Sequence, residues 1–413
     1  MPRRLAVPRS YPELLMWKPL MLGPRAGAAR AALAGAAALA GVLVLAQAAP
    51  ATAVLAPEWH VQFPPDDPGA IASGLDQVSC PSAGFCLAVG GAEDSGSVFP
   101  SFAETWNGSG WTVRSTPNAK ANVLDGVSCR SRTDCVAVGD IAGGGDRLLP
   151  LAERWGGSGW TKLSTPAPAG AVSSFLTSVS CPSATSCMAV GFWAGASGKQ
   201  QTLAESWHGG AWKISATPSP PGFRTMQLNS VSCDRASSCT AVGDLLSHGY
   251  ALLAVSWNGH SWRRDTIANP AGHAGGYLAD VSCYSPAGCM ATGDYTAGTV
   301  NVPLAERWTG KKWVPRTAAV PAASSSGLTG GVSCPSASAC TATGFKVQGG
   351  RTKLLAERWN GTKWATQDIK APPGSENITE LSGVSCAAAS RCLAVGSYTS
   401  SSATENDLGE QYV

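Results

Sequence analysis

Charged residues are scarce in this 413-residue sequence: Asp, Glu, Lys and Arg make up 14% of it, against about 25% in typical soluble proteins. The apolar run at 31–46 is mostly Ala and falls short of the about 20 strongly apolar residues that a membrane span needs. Cysteines with the zinc-binding spacing C-x2-C are absent, and so is the G-x-S-x-G motif of serine hydrolases. The sequence therefore argues against these three classes of protein.

The first 53 residues have the pattern of a secretory signal peptide. Six Lys and Arg residues and a single Glu precede the apolar run, and Ala51 and Ala53 follow it as an A-x-A cleavage site. We expect residues 1–53 to be cleaved, with an uncleaved anchor as the alternative, so that 54–413 is a single domain without a membrane span. This domain has 24 basic and 26 acidic residues. Because no basic stripe remains to neutralise phosphates, we expect no nucleic-acid partner.

One unit is written seven times along the rest of the chain. Each copy opens with two cysteines in the spacing C-x5-C, and the first cysteines follow one another at steps of 49 to 52 residues. We number the repeats 1 to 7 by their cysteine pairs, which are Cys80/Cys86, Cys129/Cys135, Cys181/Cys187, Cys233/Cys239, Cys283/Cys289, Cys334/Cys340 and Cys386/Cys392. A fixed period of this length indicates a solenoid, a propeller or an array.

Within one repeat the sequence predicts four short strands. In repeat 2 they are LDGVSC (124–129), CVAVGD (135–140), LAERW (151–155) and a strand that starts at Trp160. The first two are rich in β-branched residues and joined by a tight hairpin, and the turn between the last two contains Gly. Four antiparallel strands in about 50 residues match a propeller blade.

The two ends of the chain indicate how the repeats close. Repeat 7 lacks its fourth strand, and APEWHVQFP (56–64) aligns with that missing strand, so that Trp59 would pair with Tyr412. A strand from the N-terminus that completes the last repeat closes a ring and covers an exposed sheet edge. We therefore predict an all-β fold, a seven-bladed β-propeller of four-stranded antiparallel blades in which the N-terminal strand closes the last blade.

The motifs resemble those of kelch-type propellers, in the AVGG or AVGD that ends the second strand and in the LAERWNG…W that follows. They are still more similar to secreted actinobacterial repeat proteins built from VSCPSA…CxAVG…LAERWNGTxW units, over about residues 57–413. That resemblance implies the propeller fold and export, and it implies no activity. The cysteine pair is a departure from kelch and suits an exported protein.

Most of the recurring residues are interpreted as structural. The fourteen cysteines are predicted to form seven disulfides, one within each repeat, because their number is even and they flank hairpins behind an export signal. The two Trp of each W-x4-W motif are expected to face each other across the last hairpin of the repeat. A glutamate of the third strand is expected to accept hydrogen bonds between strands or blades; it recurs at Glu104, Glu153, Glu205, Glu306, Glu357 and Glu410, and Val255 replaces it in repeat 4.

A binding site is predicted on the face that carries the variable connections, those between the second and third strands and those between repeats. Rigid scaffolds carry function on variable loops, and aromatic residues with a few polar groups suit glycan or peptide recognition. Ordinary loop composition is the alternative explanation. The candidate ligand-binding residues, in connections of repeats 3 to 5, are Trp193, Asp244, His248, Tyr250, His273, Tyr277, Asp294 and Tyr295.

The leading functional hypothesis is a secreted, monomeric protein, extracellular or attached to the cell surface, that binds an envelope glycan or protein. We expect no catalytic residue, no metal and no cofactor. The alternative is a glycan-active hydrolase or lyase, which needs two carboxylates about 5–9.5 Å apart. Its candidates are Asp76, Asp125 and Asp280 at the starts of first strands and Asp140, Asp244 and Asp294 at the ends of second strands. Two further alternatives are Ca²⁺ binding by these carboxylates and a purely structural surface protein.

Overall fold

The computed structural model describes residues 57–66, 70–94, 100–117, 122–144, 147–247, 249–271, 273, 275–319, 325–400 and 404–413. All regular structure in these ranges is β-strand, which confirms the predicted all-β class. Accordingly, no helix suited to crossing a membrane occurs in them. The expected signal peptide, 1–53, lies outside the described residues.

Each repeat is built from four antiparallel strands. The first strands of repeats 1 to 7 are β2 (Ala70–Ser82), β6 (Asn122–Ser131), β10 (Ala171–Ser183), β14 (Thr225–Arg235), β18 (Gly276–Ser285), β22 (Ser325–Ser336) and β26 (Ser375–Ala388). The second strands are β3 (Phe85–Asp94), β7 (Asp134–Ala142), β11 (Ser186–Gly195), β15 (Ser238–Leu246), β19 (Gly288–Ala297), β23 (Ala339–Gln348) and β27 (Arg391–Ser400). The third strands are β4 (Ser101–Trp106), β8 (Leu148–Trp155), β12 (Gln200–His208), β16 (Tyr250–Trp257), β20 (Val300–Trp308), β24 (Arg351–Trp359) and β28 (Glu405–Tyr412). The fourth strands are β5 (Trp111–Ser115), β9 (Trp160–Leu163), β13 (Ala211–Ile214), β17 (Trp262–Arg264), β21 (Trp313–Pro315), β25 (Trp364–Gln367) and β1 (Trp59–Gln62).

The strands of a repeat pair in the order first, second, third, fourth. Five repeats are separate four-stranded sheets, while repeats 2 and 3 join into one eight-stranded sheet through a single parallel pair, Ser173 with Leu148. In repeat 7 the fourth strand comes from the other end of the chain. There β1 pairs with β28, and Trp59 lies opposite Tyr412 with their ring centroids 5.3 Å apart. The predicted pairing of these two residues is therefore confirmed.

The hydrophobic core lies between the repeats. In the described part of the chain it divides into seven clusters of buried residues, and each cluster combines side chains of two neighbouring repeats, including repeats 7 and 1. Small side chains of the second and third strands allow this close approach; Ala137 and Ala152, for example, are fully buried. A repeat that buries its apolar faces only against its neighbours depends on them for stability.

The first strands meet in a closed circle. Each contacts the first strand of the next repeat, and β26 contacts β2. A hydrogen bond is repeated at all seven junctions: the serine before the first cysteine of one repeat accepts from the backbone N–H of the first cysteine of the next. The bonds run from Cys80 to Ser385, Cys129 to Ser79, Cys181 to Ser128, Cys233 to Ser180, Cys283 to Ser232, Cys334 to Ser282 and Cys386 to Ser333, with N···O distances of 2.9 to 3.0 Å. The serines of the VSC motifs thus join the repeats.

The disulfides and the aromatic pairs are found where the sequence predicts them. Seven disulfides join the two cysteines of each repeat, and no free cysteine occurs among the described residues. The Trp pairs of repeats 1 to 6 face each other with ring centroids 5.5 to 5.8 Å apart. Each disulfide therefore clamps the first hairpin of its repeat, and each aromatic pair the second.

The second cysteine of every pair is buried, which the C-x5-C spacing does not predict. Each belongs to the hydrophobic cluster that its repeat shares with the preceding one. These cysteines are Cys86, Cys135, Cys187, Cys239, Cys289, Cys340 and Cys392. They are buried because the second strand that each one begins is covered by the preceding repeat. At least one cysteine of each disulfide is therefore part of the core between two repeats, and in repeats 3 and 6 both are.

The glycine of the AVG and ATG motifs has a steric explanation. A Cβ on Gly139 would lie 1.9 Å from the carbonyl oxygen of Val123 on the first strand, and one on Gly243 would lie 2.1 Å from that of Gln227. No side chain fits at such distances, so the motif requires glycine where the second strand presses against the first.

Candidate functional site

A β-bulge interrupts the first strand directly after a leucine that recurs in the repeats. In repeats 1 to 4 the extra residue at this shift of register is Asp76, Asp125, Thr177 or Asn229. A bulge re-aims the side chain of its extra residue, and here it points toward the next repeat. Thr177 Oγ1 donates to the carbonyl oxygen of Leu228, and Asn229 Nδ2 donates to that of Leu278, both at 2.8 Å. An ionised aspartate at the same position has no proton to donate.

Three of the predicted acidic residues come together at the bulges of repeats 1 and 2. Burial raises the pKa of Asp125 well above its ordinary value, and the neighbouring carboxylates of Asp140 and Asp76 raise it further. Asp140 is 9% exposed, and burial raises its pKa to about 7. In repeat 4 the two equivalent positions hold Asn229 and Asp244, whose side chains are hydrogen-bonded at 3.2 Å. Repeat 2 therefore replaces an amide–carboxylate pair by two carboxyl groups.

The other three predicted acidic residues, Asp280, Asp244 and Asp294, accept hydrogen bonds from neighbouring protein groups. Asp280 accepts hydrogen bonds from Ser230 Oγ and from the backbone N–H groups of Val281 and Val332 at 2.8 and 2.7 Å, and so joins three repeats. Burial raises its pKa, and these donors lower it. Asp244 is buried with a pKa raised to about 6, and Asp294 is buried with a pKa raised to about 7. Both also accept side-chain amide hydrogen bonds.

The described residues contain no group of three His, Cys, Asp or Glu side chains arranged to hold a metal ion.

Trp193 does not lie in a loop, and that part of the prediction is wrong. It belongs to β11, where it pairs with Ser174 on one side and with Gln201 on the other. Its half-buried ring packs against the hydrophobic cluster between repeats 2 and 3. The strand continues past its AVG motif because the neighbouring first and third strands are long enough to pair with it.

The tyrosines assigned to loops also lie in strands. Tyr250 begins β16, Tyr277 belongs to β18 and Tyr295 to β19. His273 is in a loop, as predicted, while His248 lies outside the described residues.

The structure brings several of these candidates together in pairs. Tyr277 lies directly opposite Asp294, and the rings of His273 and Tyr295 are 4.8 Å apart. Tyr250 is close enough to Asp244 for the carboxylate charge, together with burial as the larger cause, to raise the pKa of the phenol.

The recurring glutamates are fully enclosed, as a structural role requires. Burial raises the pKa of Glu205 and Glu410 to about 8 and that of Glu306 and Glu357 to about 7. Glu357 accepts a hydrogen bond from the backbone N–H of Ala319 at 2.9 Å. The expected acceptor role is not found for Glu205 and Glu410, whose carboxyl oxygens have no hydrogen-bond partner in the described residues.

Two clefts open on the face that carries the disulfides, opposite to the face that the sequence favours. The 2/3 cleft, between repeats 2 and 3, encloses about 280 Å³, part of it open to solvent. The 7/1 cleft, between repeats 7 and 1, encloses about 260 Å³. Both volumes include open solvent, and the enclosed part of each cleft has room for about one water-sized group, far below the about 300–1,000 Å³ typical of small-molecule sites; each cleft is a shallow crevice.

The two clefts occupy equivalent positions in the repeat. One wall comes from the following repeat: its disulfide and the first Trp of its aromatic pair, which is Trp207 in the 2/3 cleft and Trp106 in the 7/1 cleft. The opposite wall comes from residues that flank the second cysteine of the preceding repeat and from the end of its third strand, with Arg154 in one cleft and Gln411 in the other. Each cleft thus combines an aromatic residue with polar groups.

The disulfides differ in their access to these clefts. The disulfide of repeat 3 lines the 2/3 cleft, and that of repeat 1 lines the 7/1 cleft. Four of the buried second cysteines line neither cleft, and at 1 to 4% exposure they are covered by the preceding repeat; they are Cys135, Cys239, Cys289 and Cys340. The predicted pairing of these four cysteines is confirmed, and all four are core residues.

The lining of the clefts escaped the sequence analysis because each cleft is shared by two repeats. The signal that could have found it is variation inside the motifs themselves. The residue between the glutamate and the aromatic residue of the third strand is Arg154 in repeat 2, Arg358 in repeat 6 and Gln411 in repeat 7.

No protein-family model matches the chain, and no curated protein does. Solved structures similar to it include YCF48 bound to D1 peptide, with TM-score 0.49 and 13% identity over 86% of this chain and 96% of the other. A second is SapL1 lectin in complex with alpha methyl fucoside, with TM-score 0.46 and 11% identity over 76% of this chain and 98% of the other. A third is the six-bladed β-propeller lectin of Aleuria aurantia, with TM-score 0.43 and 12% identity over 75% of this chain and all of the other. At these scores the similarities carry no argument about function.

Proposed function

We propose that the chain is a seven-bladed β-propeller in which the seven repeats are the blades. The circle of first strands, the seven serine–cysteine hydrogen bonds and the shared hydrophobic clusters support this proposal. The seventh blade is composite, since β1 supplies its outer strand. Such closure leaves only short, protected sheet edges.

The proposed protein is exported, loses residues 1–53 and acts as a monomer formed by 54–413. Seven disulfides support an oxidising compartment, because cytosolic proteins keep their thiols reduced. The contacts of Leu55–Val413 group this part of the chain into one compact unit. Membership of the secreted actinobacterial repeat proteins, and the kelch-like relationship, rest on the motifs alone.

The function that the geometry supports best is binding of an extracellular glycan, without catalysis and without a cofactor. The observation that carries it is the repetition of one aromatic-walled cleft at equivalent blade junctions, 2/3 and 7/1. A repeated shallow cleft suits a repeated ligand such as an envelope polysaccharide, because several weak contacts on one rigid body add avidity.

The test is a glycan array probed with the purified secreted protein, followed by a pull-down on isolated cell envelopes. Binding to one class of polysaccharide is expected, and it should weaken strongly when the glycan is cut to single sugars. If no glycan is bound while an envelope protein is captured, the ligand is a protein and the proposed function is wrong.

A second candidate is a glycan-active enzyme, and Asp125 with Asp140 is the observation that favours it. A buried carboxyl group whose pKa is raised further by a neighbouring carboxylate, as that of Asp125 is by Asp140, is a recurrent device of acid–base catalysis, although the same pair also suits a Ca²⁺ site completed by water or ligand oxygens. Hydrolysis or elimination of the bound glycan, abolished in Asp140→Asn, would establish the enzyme. Unchanged glycan after prolonged incubation with the parent protein would exclude it for that glycan.

A further inference from the structure

At the junction of repeats 6 and 7, the side chain of Arg358 occupies the position that corresponds to the two clefts. Arg358 extends from β24 onto repeat 7, where its guanidinium carbon lies 4.3 Å from the centroid of the Tyr412 ring. One terminal nitrogen donates to the carbonyl oxygen of Ala389, and the other lies 3.3 Å from Thr341 Oγ1. Cation–π and hydrogen-bond contacts together hold the side chain in place. Arg358 therefore plugs the cleft between repeats 6 and 7.

The 2/3 cleft stays open because its arginine is held elsewhere. Arg154 occupies the position of Arg358, but its Nε and Nη2 donate to Asp134 Oδ1 at 3.1 and 2.8 Å, within its own repeat. Repeat 6 has Ala339 in place of Asp134, so this position offers Arg358 no carboxylate.

The 7/1 cleft stays open for a different reason. Gln411 replaces the arginine, and its shorter, uncharged side chain makes no cation–π contact. At these three junctions the residue before the aromatic residue of the third strand thus distinguishes the plugged cleft, with Arg358, from the two open ones, with Arg154 and Gln411.

Both open clefts offer a donor and an acceptor that other blades use internally. In repeats 2, 4 and 6 the first Trp donates its indole N–H to the carbonyl oxygen three residues after the first cysteine, at 3.1 to 3.2 Å. In the described part of the chain Trp106 and Trp207 make no such bond, while Ala83 and Ala184, which carry the corresponding carbonyls, line the clefts. A hydroxyl group can accept one hydrogen bond and donate another. A sugar hydroxyl can therefore accept from the indole N–H and donate to the carbonyl oxygen.

Each open cleft also carries an excess of positive charge. In the 2/3 cleft Arg130 and Arg154 share the one carboxylate of Asp134. In the 7/1 cleft Arg391 is exposed, and the described lining contains no acidic residue. Guanidinium groups bind carboxylates in a bidentate manner, so this charge favours an anionic ligand.

We infer that the 2/3 and 7/1 clefts each bind an acidic sugar, a uronic acid residue of a polysaccharide, and that Arg358 is a built-in plug of the equivalent 6/7 cleft. A sugar hydroxyl bridges the indole N–H and the hairpin carbonyl, while the carboxylate meets the arginines. This inference rests on the proposed glycan-binding function and names the ligand class and the residues that decide which clefts are open.

Isothermal titration with trigalacturonate, and with its methyl ester as the uncharged match, tests the ligand class. Two sites per chain are expected for the acid, with at least tenfold weaker binding of the ester. Equal binding of acid and ester overturns the inference but leaves glycan binding intact. If the array shows no glycan binding of any kind, the proposed function itself has failed.

Variants of the plug position test which clefts are used. Gln411→Arg should place a guanidinium on Trp106 as Arg358 lies on Tyr412, and should reduce the stoichiometry from two to one, with Thr366→Arg, at an exposed position of β25 that lines neither cleft, as the control that keeps two. Asp134→Ala should release Arg154 into the 2/3 cleft and also leave one site. Arg358→Gln should open the 6/7 cleft and add a third.

Melting temperatures close to that of the parent, measured on the same samples, identify variants that remain folded. A folded Gln411→Arg and a folded Asp134→Ala that both still bind two trigalacturonate molecules show that the glycan binds elsewhere, and this result overturns the inference. In that case the eight aromatic and polar candidates on the opposite face become the next site to mutate.

Discussion

Carboxyl groups without hydrogen-bond partners are costly to bury as ions, and this protein buries the same glutamate in almost every blade. Glu205 and Glu410 are fully enclosed, with pKa values raised to about 8 by burial. At neutral pH such groups hold a proton in the folded chain and lose it in the unfolded chain. Val255 occupies the same position in repeat 4, which shows that the fold accepts an uncharged side chain there.

The stability of the protein should therefore fall as the pH rises. The unfolded glutamate titrates near 4.5 and the folded one near 8, so the contribution of Glu205 is fully present below about pH 4.5 and is lost as the pH rises through about 8. Glu205→Gln mimics the protonated form and should melt at about the parent's temperature at pH 5 and above it at pH 8. Glu58→Gln, with a 65% exposed side chain, is the control and should leave both melting temperatures unchanged. A lower melting temperature of Glu205→Gln at pH 8 would contradict the assignment.

At the scale of the strands, pairing extends further than the motifs suggest. The second strands run past their AVG or ATG motif, so that Trp193 and the tyrosines assigned to loops belong to strands. The first strand is also interrupted by the β-bulge that follows its recurring leucine, such as Leu124 in repeat 2. At this bulge the side chains of Thr177 and Asn229 donate hydrogen bonds to the backbone of the next repeat.

Truncation of Trp193 tests this reassignment of the strand. Because its ring packs in part against the cluster between repeats 2 and 3, Trp193→Ala should lower the free energy of unfolding by about 2 kcal/mol, less than the about 3–5 kcal/mol of a fully buried Trp. Ile214→Ala, at a 45% exposed strand position, should change it by no more than about 0.5 kcal/mol. Equal, negligible effects in denaturant titrations of the two variants would place Trp193 outside the core. Glycan binding should be retained, since the clefts lie on the opposite face.

At the scale of the whole molecule, stability depends on joining the two ends of the chain. Among the described strands only β1 pairs with the outer edge of β28, and the hydrophobic cluster between repeats 6 and 7 includes Trp59. The local disulfides clamp individual hairpins and close no junction between blades. Closure therefore rests on non-covalent contacts at the last blade.

Loss of Trp59 should consequently destabilise the whole ring. Trp59→Ala removes a 5% exposed aromatic side chain and should cost about 3–5 kcal/mol, with faster proteolysis near the termini because a sheet edge loosens. Phe63→Ala, four residues away at a 57% exposed position, should leave unfolding and proteolysis nearly unchanged. A parent-like denaturation midpoint of Trp59→Ala would show that the last blade is stable without its N-terminal strand.

The local features of this protein follow from its sequence alone. The period of the repeat, the disulfide within each C-x5-C pair, the facing Trp residues and the pairing of Trp59 with Tyr412 depend on spacing along one chain segment or on alignment of one repeat with another. Each involves residues whose partner is dictated by the strand period or by the hairpin turn.

Only the tertiary structure decided what happens between repeats. The closeness of Asp76 to Asp125, the contact of Arg358 with Tyr412 and the burial of the second cysteines all depend on how close one blade lies to the next. Strand spacing sets no such distance, because packing of side chains between sheets determines it. For that reason the sequence predicted the repeats, their disulfides and their aromatic pairs. The position of the clefts depends on how neighbouring repeats pack, and only the tertiary structure shows it.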